Sequence, residues 1–144
     1  VAAIAQHVSG QFPLEMEFIT AAAEGKPLPG YSWDDINGMN DRRAETNRAA
    51  AKADVLKELR EGSASAAAYV RALSDEQLDA KANLPLAGAE VSTQQLIEGG
   101  VLIDHVRGHL QSIRLAGPPP DQVAFGQRDG MSTSELGDYV ASLV

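Results

Sequence analysis

The sequence predicts an all-α protein built as a four-helix bundle, and three observations lead to that prediction. Stretches rich in alanine, leucine and glutamate alternate with short Gly/Pro breaks. No long segment alternates apolar and polar residues at the period of two that a half-buried strand requires. The 144 residues suffice for one domain with a single core. We therefore expect one domain over residues 1–144.

The first helix is predicted over about residues 2–24. Four apolar residues fall on one face of it: Ile4, Val8, Phe12 and Ile19. Glycines and prolines between 25 and 30 then end the helix.

Two further helices are expected over about residues 34–48 and 51–73. In the longer one, apolar and small residues recur at the three-and-four spacing of a bundle seam. Gly62 and Ser63 interrupt this seam with small side chains. Such a pair weakens the helix by about 1 kcal/mol but lets a neighbouring helix approach closely.

Capping boxes predict three helix starts, because Ser74, Ser92 and Ser132 each precede a Gln or Glu by three residues. The first starts a short helical turn. The second starts a helix that we expect to run to Ala116, where Gly117 and three prolines stop it. The third starts a last helix near the end of the chain.

The fourth wall of the predicted bundle has two candidates. It is either the helix that begins after Ser132 or a helix upstream of Val1, since the chain opens without Met inside an apolar run. The segment 84–91 is predicted to be a loop or a short extended stretch.

Composition excludes several function classes. Twenty Asp and Glu against twelve Lys and Arg give a net charge of −8, which argues against a nucleic-acid or anionic-membrane partner. The chain has no cysteine, which excludes disulfides, thiolate metal sites and a cysteine nucleophile. It also lacks an apolar run of about 20 residues and a secretory signal, so we expect a cytoplasmic protein.

The three histidines are the strongest functional signal. His105 and His109 lie four residues apart, one turn apart on one helix face, and His7 flanks the apolar face of the first helix. Three neutral imidazoles leave coordination positions open for water or substrate, which is typical of catalytic metal sites. Such a set suits Zn, Ni, Fe or Co alike. The competing interpretation is coincidence, because His-x-x-x-His spacing is common on surface helices.

Two segments carry a family resemblance. IAQHVSGQF near the start and LIDHVRGHLQSIRLA about a hundred residues later resemble the DinB-like (DinB/YfiT) superfamily, which includes mycothiol-dependent maleylpyruvate isomerases and related thiol transferases. The resemblance covers residues 1–116 and leaves 117–144 as an extension without a counterpart. It implies a four-helix bundle whose first helix lies before Val1. It also implies a divalent metal on His7, His105 and His109.

The resemblance extends to the middle of the chain. WDDINGMNDRRAE is similar to the segment in which many members carry an Asn near the pocket, here Asn40. Trp33 and Arg43 join it as candidate substrate-binding residues. A solvated helix face is the alternative for Asn40 and Arg43, and a rim or core anchor is the alternative for Trp33. Glu15 is either a buried functional carboxylate or an exposed side chain.

Two hypotheses for function follow. The first is a metal-dependent enzyme that acts on a small molecule by thiol transfer, isomerisation or hydrolysis, with a low-molecular-weight thiol as a candidate cosubstrate. The second is a non-catalytic helical stress-response or interaction module that dimerises and needs no metal. We expect a homodimer. The substrate itself is not specified, because neither fold nor metal defines a reaction.

Overall fold

The computed structural model describes residues 2–116, and this part of the chain is mostly helical, as predicted. The predicted helix after Ser132 lies outside the described residues. In chain order the elements are α1 (Ala2–Ala23), α2 (Trp33–Thr46), α3 (Lys52–Arg71), α4 (Asp75–Asp79), β1 (Lys81–Leu84), β2 (Ala89–Ser92), α5 (Thr93–Glu98) and α6 (Ile103–Ala116).

Helix α1 is the centre of the packing. It contacts all the other helices and β1, and its most extensive contact is with α3. Ile19 of α1, Leu59 of α3 and Ile113 of α6 are almost completely buried where these helices meet. The apolar face predicted for α1 is therefore a core face.

The segment predicted as a loop or extended stretch is an antiparallel hairpin. Lys81 pairs with Ser92 and Leu84 with Ala89, and Gly88 takes a positive φ of 60° in the connecting turn. Each strand has only four residues, too few for an alternating pattern to predict it. The hairpin is the departure from the all-α prediction within residues 2–116.

The helix predicted from Ser92 to Ala116 is two helices. The capping box at Ser92 forms as expected, but α5 ends after Glu98 and α6 begins at Ile103. Gly99 and Gly100 separate them, and Gly99 takes an extended backbone while its N–H still bonds to the Gln95 carbonyl. Two adjacent glycines remove about 2 kcal/mol of helix propensity, which explains the break. As a result, His105 lies in the first turn of a new helix.

No helix in the described part of the chain is both long and apolar enough to cross a membrane.

The close approach predicted at Gly62 occurs and yields a stability prediction. A Cβ added at Gly62 would lie 2.5 Å from Cδ2 of the buried Phe12, whereas one at Gly108 in α6 would meet open space. We expect Gly62→Ala to lower the free energy of unfolding by about 1–3 kcal/mol through overpacking. The matched Gly108→Ala should raise it by about 0.5–1 kcal/mol, because alanine favours helix. Urea unfolding followed by circular dichroism measures both, and equal stabilisation by the two would contradict the predicted clash.

Candidate metal centre

Two helices supply the polar side chains of the candidate site. His7, Gln11 and Glu15 follow each other at intervals of four along α1, so they lie on successive turns of one face. His105 and His109 have the same spacing on α6. Helices α1 and α6 contact each other and contribute to one apolar core, and this packing brings the two polar rows together.

The three predicted metal ligands converge. Nε2 of His105 lies 3.2 Å from Nε2 of His7 and 2.9 Å from Nε2 of His109. One ring nitrogen from each histidine lies within 4.8 Å of the other two. A tetrahedral ion with metal–nitrogen bonds of about 2.0–2.1 Å would hold its ligand nitrogens about 3.3 Å apart. The two distances from His105 are close to this value, so the cluster has the donor set and a size suited to a metal ion.

Glu15 orients the central histidine. Its side chain is buried, and its Oε1 lies 2.5 Å from Nδ1 of His105. An ionised carboxylate only accepts hydrogen bonds, so Nδ1–H of His105 donates to it and the Nε2 lone pair is left for the cluster. This is the carboxylate–histidine arrangement that holds ligand rings at metal sites. Of the two interpretations left open for Glu15, the buried carboxylate is therefore the observed one.

The free carboxylate oxygen of Glu15 is also buried. Among the described residues no donor reaches Glu15 Oε2. Burial raises the pKa of this carboxyl above its usual range, and the hydrogen bond and charge of His105 act in the opposite direction. The negative charge of Glu15 therefore needs a nearby cation, and a divalent ion on His105 would supply one.

Burial keeps the two outer histidines neutral. It lowers the pKa of His109 to about 4, with further lowering from the charges of His105 and His7. Burial also lowers the pKa of His7, and the charges of His105 and Arg43 lower it further. Both imidazoles are thus unprotonated at neutral pH, which is the form that binds metal.

These shifts predict a pH dependence of the metal-free protein. His7 and His109 bind protons in the unfolded chain below a pKa of 6.5 but in the folded chain only at lower pH. The free energy of unfolding should therefore fall as the pH is lowered from about 6.5 towards 4. Protonation of Glu15 opposes this fall, because its folded pKa is raised.

Thermal unfolding of chelator-treated protein between pH 7 and 4.5 measures this effect, with His109→Gln as the comparison. The variant should lose less stability than the wild type over this range. Parallel curves for the two proteins would contradict the assignment of the pH dependence to His109.

A cavity of about 510 Å³ opens beside the cluster, between α1, α2, the hairpin and α5. His7, His105 and Glu15 form part of its wall. Two of the three predicted substrate-binding residues, Trp33 and Asn40, line it as well. Trp33 is 62% exposed, so it lies at the rim and is not a core anchor.

The third candidate, Arg43, does not line this cavity. Its guanidinium forms an ion pair with Glu58 of α3, whose other oxygen accepts a hydrogen bond from Ser9 at 2.7 Å. The arginine packs against Gly10, where a Cβ would overlap it. Arg43 thus connects α2 to α1 and α3. Its positive charge also acts on the cluster, because it lowers the pKa of His7.

Sequence reasoning did not identify Gln11. It is buried on α1, lines the cavity and donates from Nε2 to Oδ1 of Asn40 at 2.5 Å. The signal that would have found it is its position four residues after His7 and four before Glu15, which places it on the ligand-bearing face.

Comparison of the chain with protein-family models, with curated proteins and with solved structures finds no match.

Proposed function

We propose that this chain is a metal-dependent enzyme of the DinB-like superfamily. In this proposal His7, His105 and His109 hold a divalent ion at the wall of a small-molecule cavity. The observation that carries it is the convergence of three ring nitrogens within 4.8 Å, with a buried carboxylate on the far nitrogen of the central ring. Coincidental surface histidines have no reason to share both features.

The proposal includes a DinB-like four-helix bundle. The proposed ligands come from α1 and α6, an early and a late helix of the described part of the chain, which is the distribution that the resemblance implies. This distribution supports the family assignment.

In this proposal the chain's residues have distinct roles in the reaction. The three imidazoles bind the ion, and Glu15 fixes the orientation of the His105 ring by accepting its Nδ1–H. The apolar cavity excludes most water from the bound substrate. A divalent ion held there would supply Lewis acidity to a water molecule or a substrate heteroatom.

The reaction class is thiol transfer, isomerisation or hydrolysis, and a low-molecular-weight thiol is the cosubstrate that we propose for the first. The chain has no cysteine of its own, so sulfur would come from that cosubstrate. Imidazole ligands suit Zn, Ni, Fe and Co, so the metal is proposed only as a divalent ion.

Metal analysis of protein purified without a histidine tag tests the proposal. We expect about one divalent ion per chain, and a melting temperature that rises with metal concentration because only the folded chain has the site. A variant with all three histidines replaced by alanine should show neither effect. Equal metal content in the variant, or a wild-type melting temperature that does not change with metal, would contradict the proposed metal site. A metal-independent dimer would then favour the interaction module.

A further inference from the structure

The large cavity has an apolar wall on several sides. The apolar residues that line it include Leu14 and Phe18 of α1, Leu84 and Val91 of the hairpin, and Leu96 of α5. A volume of about 510 Å³ falls within the range of pockets that enclose a drug-sized ligand. Most of a ligand's surface would therefore contact hydrocarbon.

The cavity lacks a positive side chain. No Lys or Arg of the described chain lines it, and the acidic Glu15 does. The protein as a whole carries a net charge of −8. In the metal-free protein, an anionic group on a ligand would lose its hydration here without a cation to replace it, which is unfavourable.

One amide pair supplies polar recognition in this wall. Gln11 Nε2 donates to Asn40 Oδ1, which uses one donor and one acceptor of the two side chains. Within residues 2–116 the remaining atoms, Gln11 Oε1 and Asn40 Nδ2, make no other hydrogen bond. Each side chain thus keeps one free polar atom, an acceptor on Gln11 and a donor on Asn40. Exchanging the oxygen and nitrogen of both amides would leave the same pair of functions.

A carboxamide has the complementary groups. Its carbonyl accepts from one side chain while its N–H donates to the other, so both free atoms are satisfied without any charge. Gln11 is one turn from His7 and one from Glu15, about 6 Å along the helix axis. A ligand held by Gln11 and Asn40 therefore has its carboxamide about one helical turn from the histidine cluster.

We propose that the cavity takes an uncharged, mainly apolar molecule whose carboxamide hydrogen-bonds to Gln11 and Asn40. The inference deepens the proposed function by naming its substrate class. It rests on that function only for the statement that the bound molecule is a substrate of the metal centre. The cavity and the amide pair belong to the chain itself, so this class of ligand binds with or without metal.

The test compares two probes of nearly equal size, 4-phenylbutanamide and 4-phenylbutanoate. Both are titrated into chelator-treated wild-type protein by calorimetry, and emission of Trp33, the chain's single tryptophan, reports occupancy of the cavity. We expect the amide to bind about tenfold or more tightly than the acid. Gln11→Leu and Asn40→Leu should each weaken amide binding about 3–10-fold. The matched control Gln94→Leu, exposed on α5 and outside the cavity, should not.

Each outcome decides the proposal. Equal or tighter binding of the acid, failure of both probes to bind, or amide binding unchanged in both Gln11→Leu and Asn40→Leu would overturn it. Circular dichroism of each variant checks that the chain is folded, and two separate variants keep the test valid if one is not. A separate metal titration of the same wild-type sample shows whether the metal proposal fails, because the probe comparison is made without metal.

Discussion

Replacing His109 with alanine should lower the affinity for a divalent ion more than 100-fold. The substitution removes one of three converging nitrogens and leaves the pair between His105 and Glu15 intact. Loss of a supporting group around a metal ligand costs about 10–100-fold, so loss of a ligand itself should exceed that range. Competition titration against a chromogenic chelator measures the affinity of the tag-free protein.

Thermal unfolding gives a second readout of the same change. A ligand present at 100 times its Kd stabilises the folded chain by about 2.7 kcal/mol, so wild type should melt at a clearly higher temperature with metal than without. His109→Ala should lose this rise. Gln111→Ala, an exposed position on the same helix, is the matched control and should keep it. A His109→Ala variant that binds metal like wild type would exclude His109 as a ligand.

The substitution Glu15→Gln should change metal affinity and stability in different directions. The glutamine side chain has nearly the same shape and an oxygen that can still accept from His105 Nδ1–H, but it carries no charge. We expect metal affinity to fall about 10–100-fold, because the carboxylate no longer increases the basicity of the ring. The metal-free protein should be as stable as wild type or more so, because burial opposes ionisation of this carboxyl and raises its pKa.

Glu17→Gln is the matched control for this prediction. Glu17 is exposed two residues further along α1, so its replacement should alter neither quantity. A purely structural Glu15 would give a different pattern, with altered stability and unchanged metal affinity. Measuring both quantities on one preparation therefore separates a positioning role from a packing role.

Local sequence patterns predicted much of the fold. The capping boxes at Ser74 and Ser92 form, because their hydrogen bonds lie within four residues and need no tertiary partner. The apolar periodicity of α1 likewise predicted its core face. The predicted single helix from Ser92 was wrong, because the prediction did not count the helix propensity that the two glycines at 99–100 remove.

Part of the candidate site was likewise predictable from the sequence, and part depended on how the helices pack. The spacing of His105 and His109 alone placed them on one face, and the sequence supplied His7 as the only other histidine. Their convergence depends on the packing of α1 against α6. Asn40 came from the resemblance and Trp33 from its position after a Pro/Gly loop, and the structure places both at the cavity wall. Arg43 faces Glu58 instead, because the ion-pair partner on α3 cannot be read from a pattern within α2.

The sequence by itself determined a mostly helical chain, the absence of cysteine and the set of three imidazoles, because composition and short-range spacing are properties of the chain alone. Tertiary structure decided what surrounds those imidazoles. The environment of Glu15 and the pairing of Gln11 with Asn40 arise between residues 29–90 positions apart. Such contacts depend on how whole helices pack, and the spacing of residues along one helix does not encode that packing.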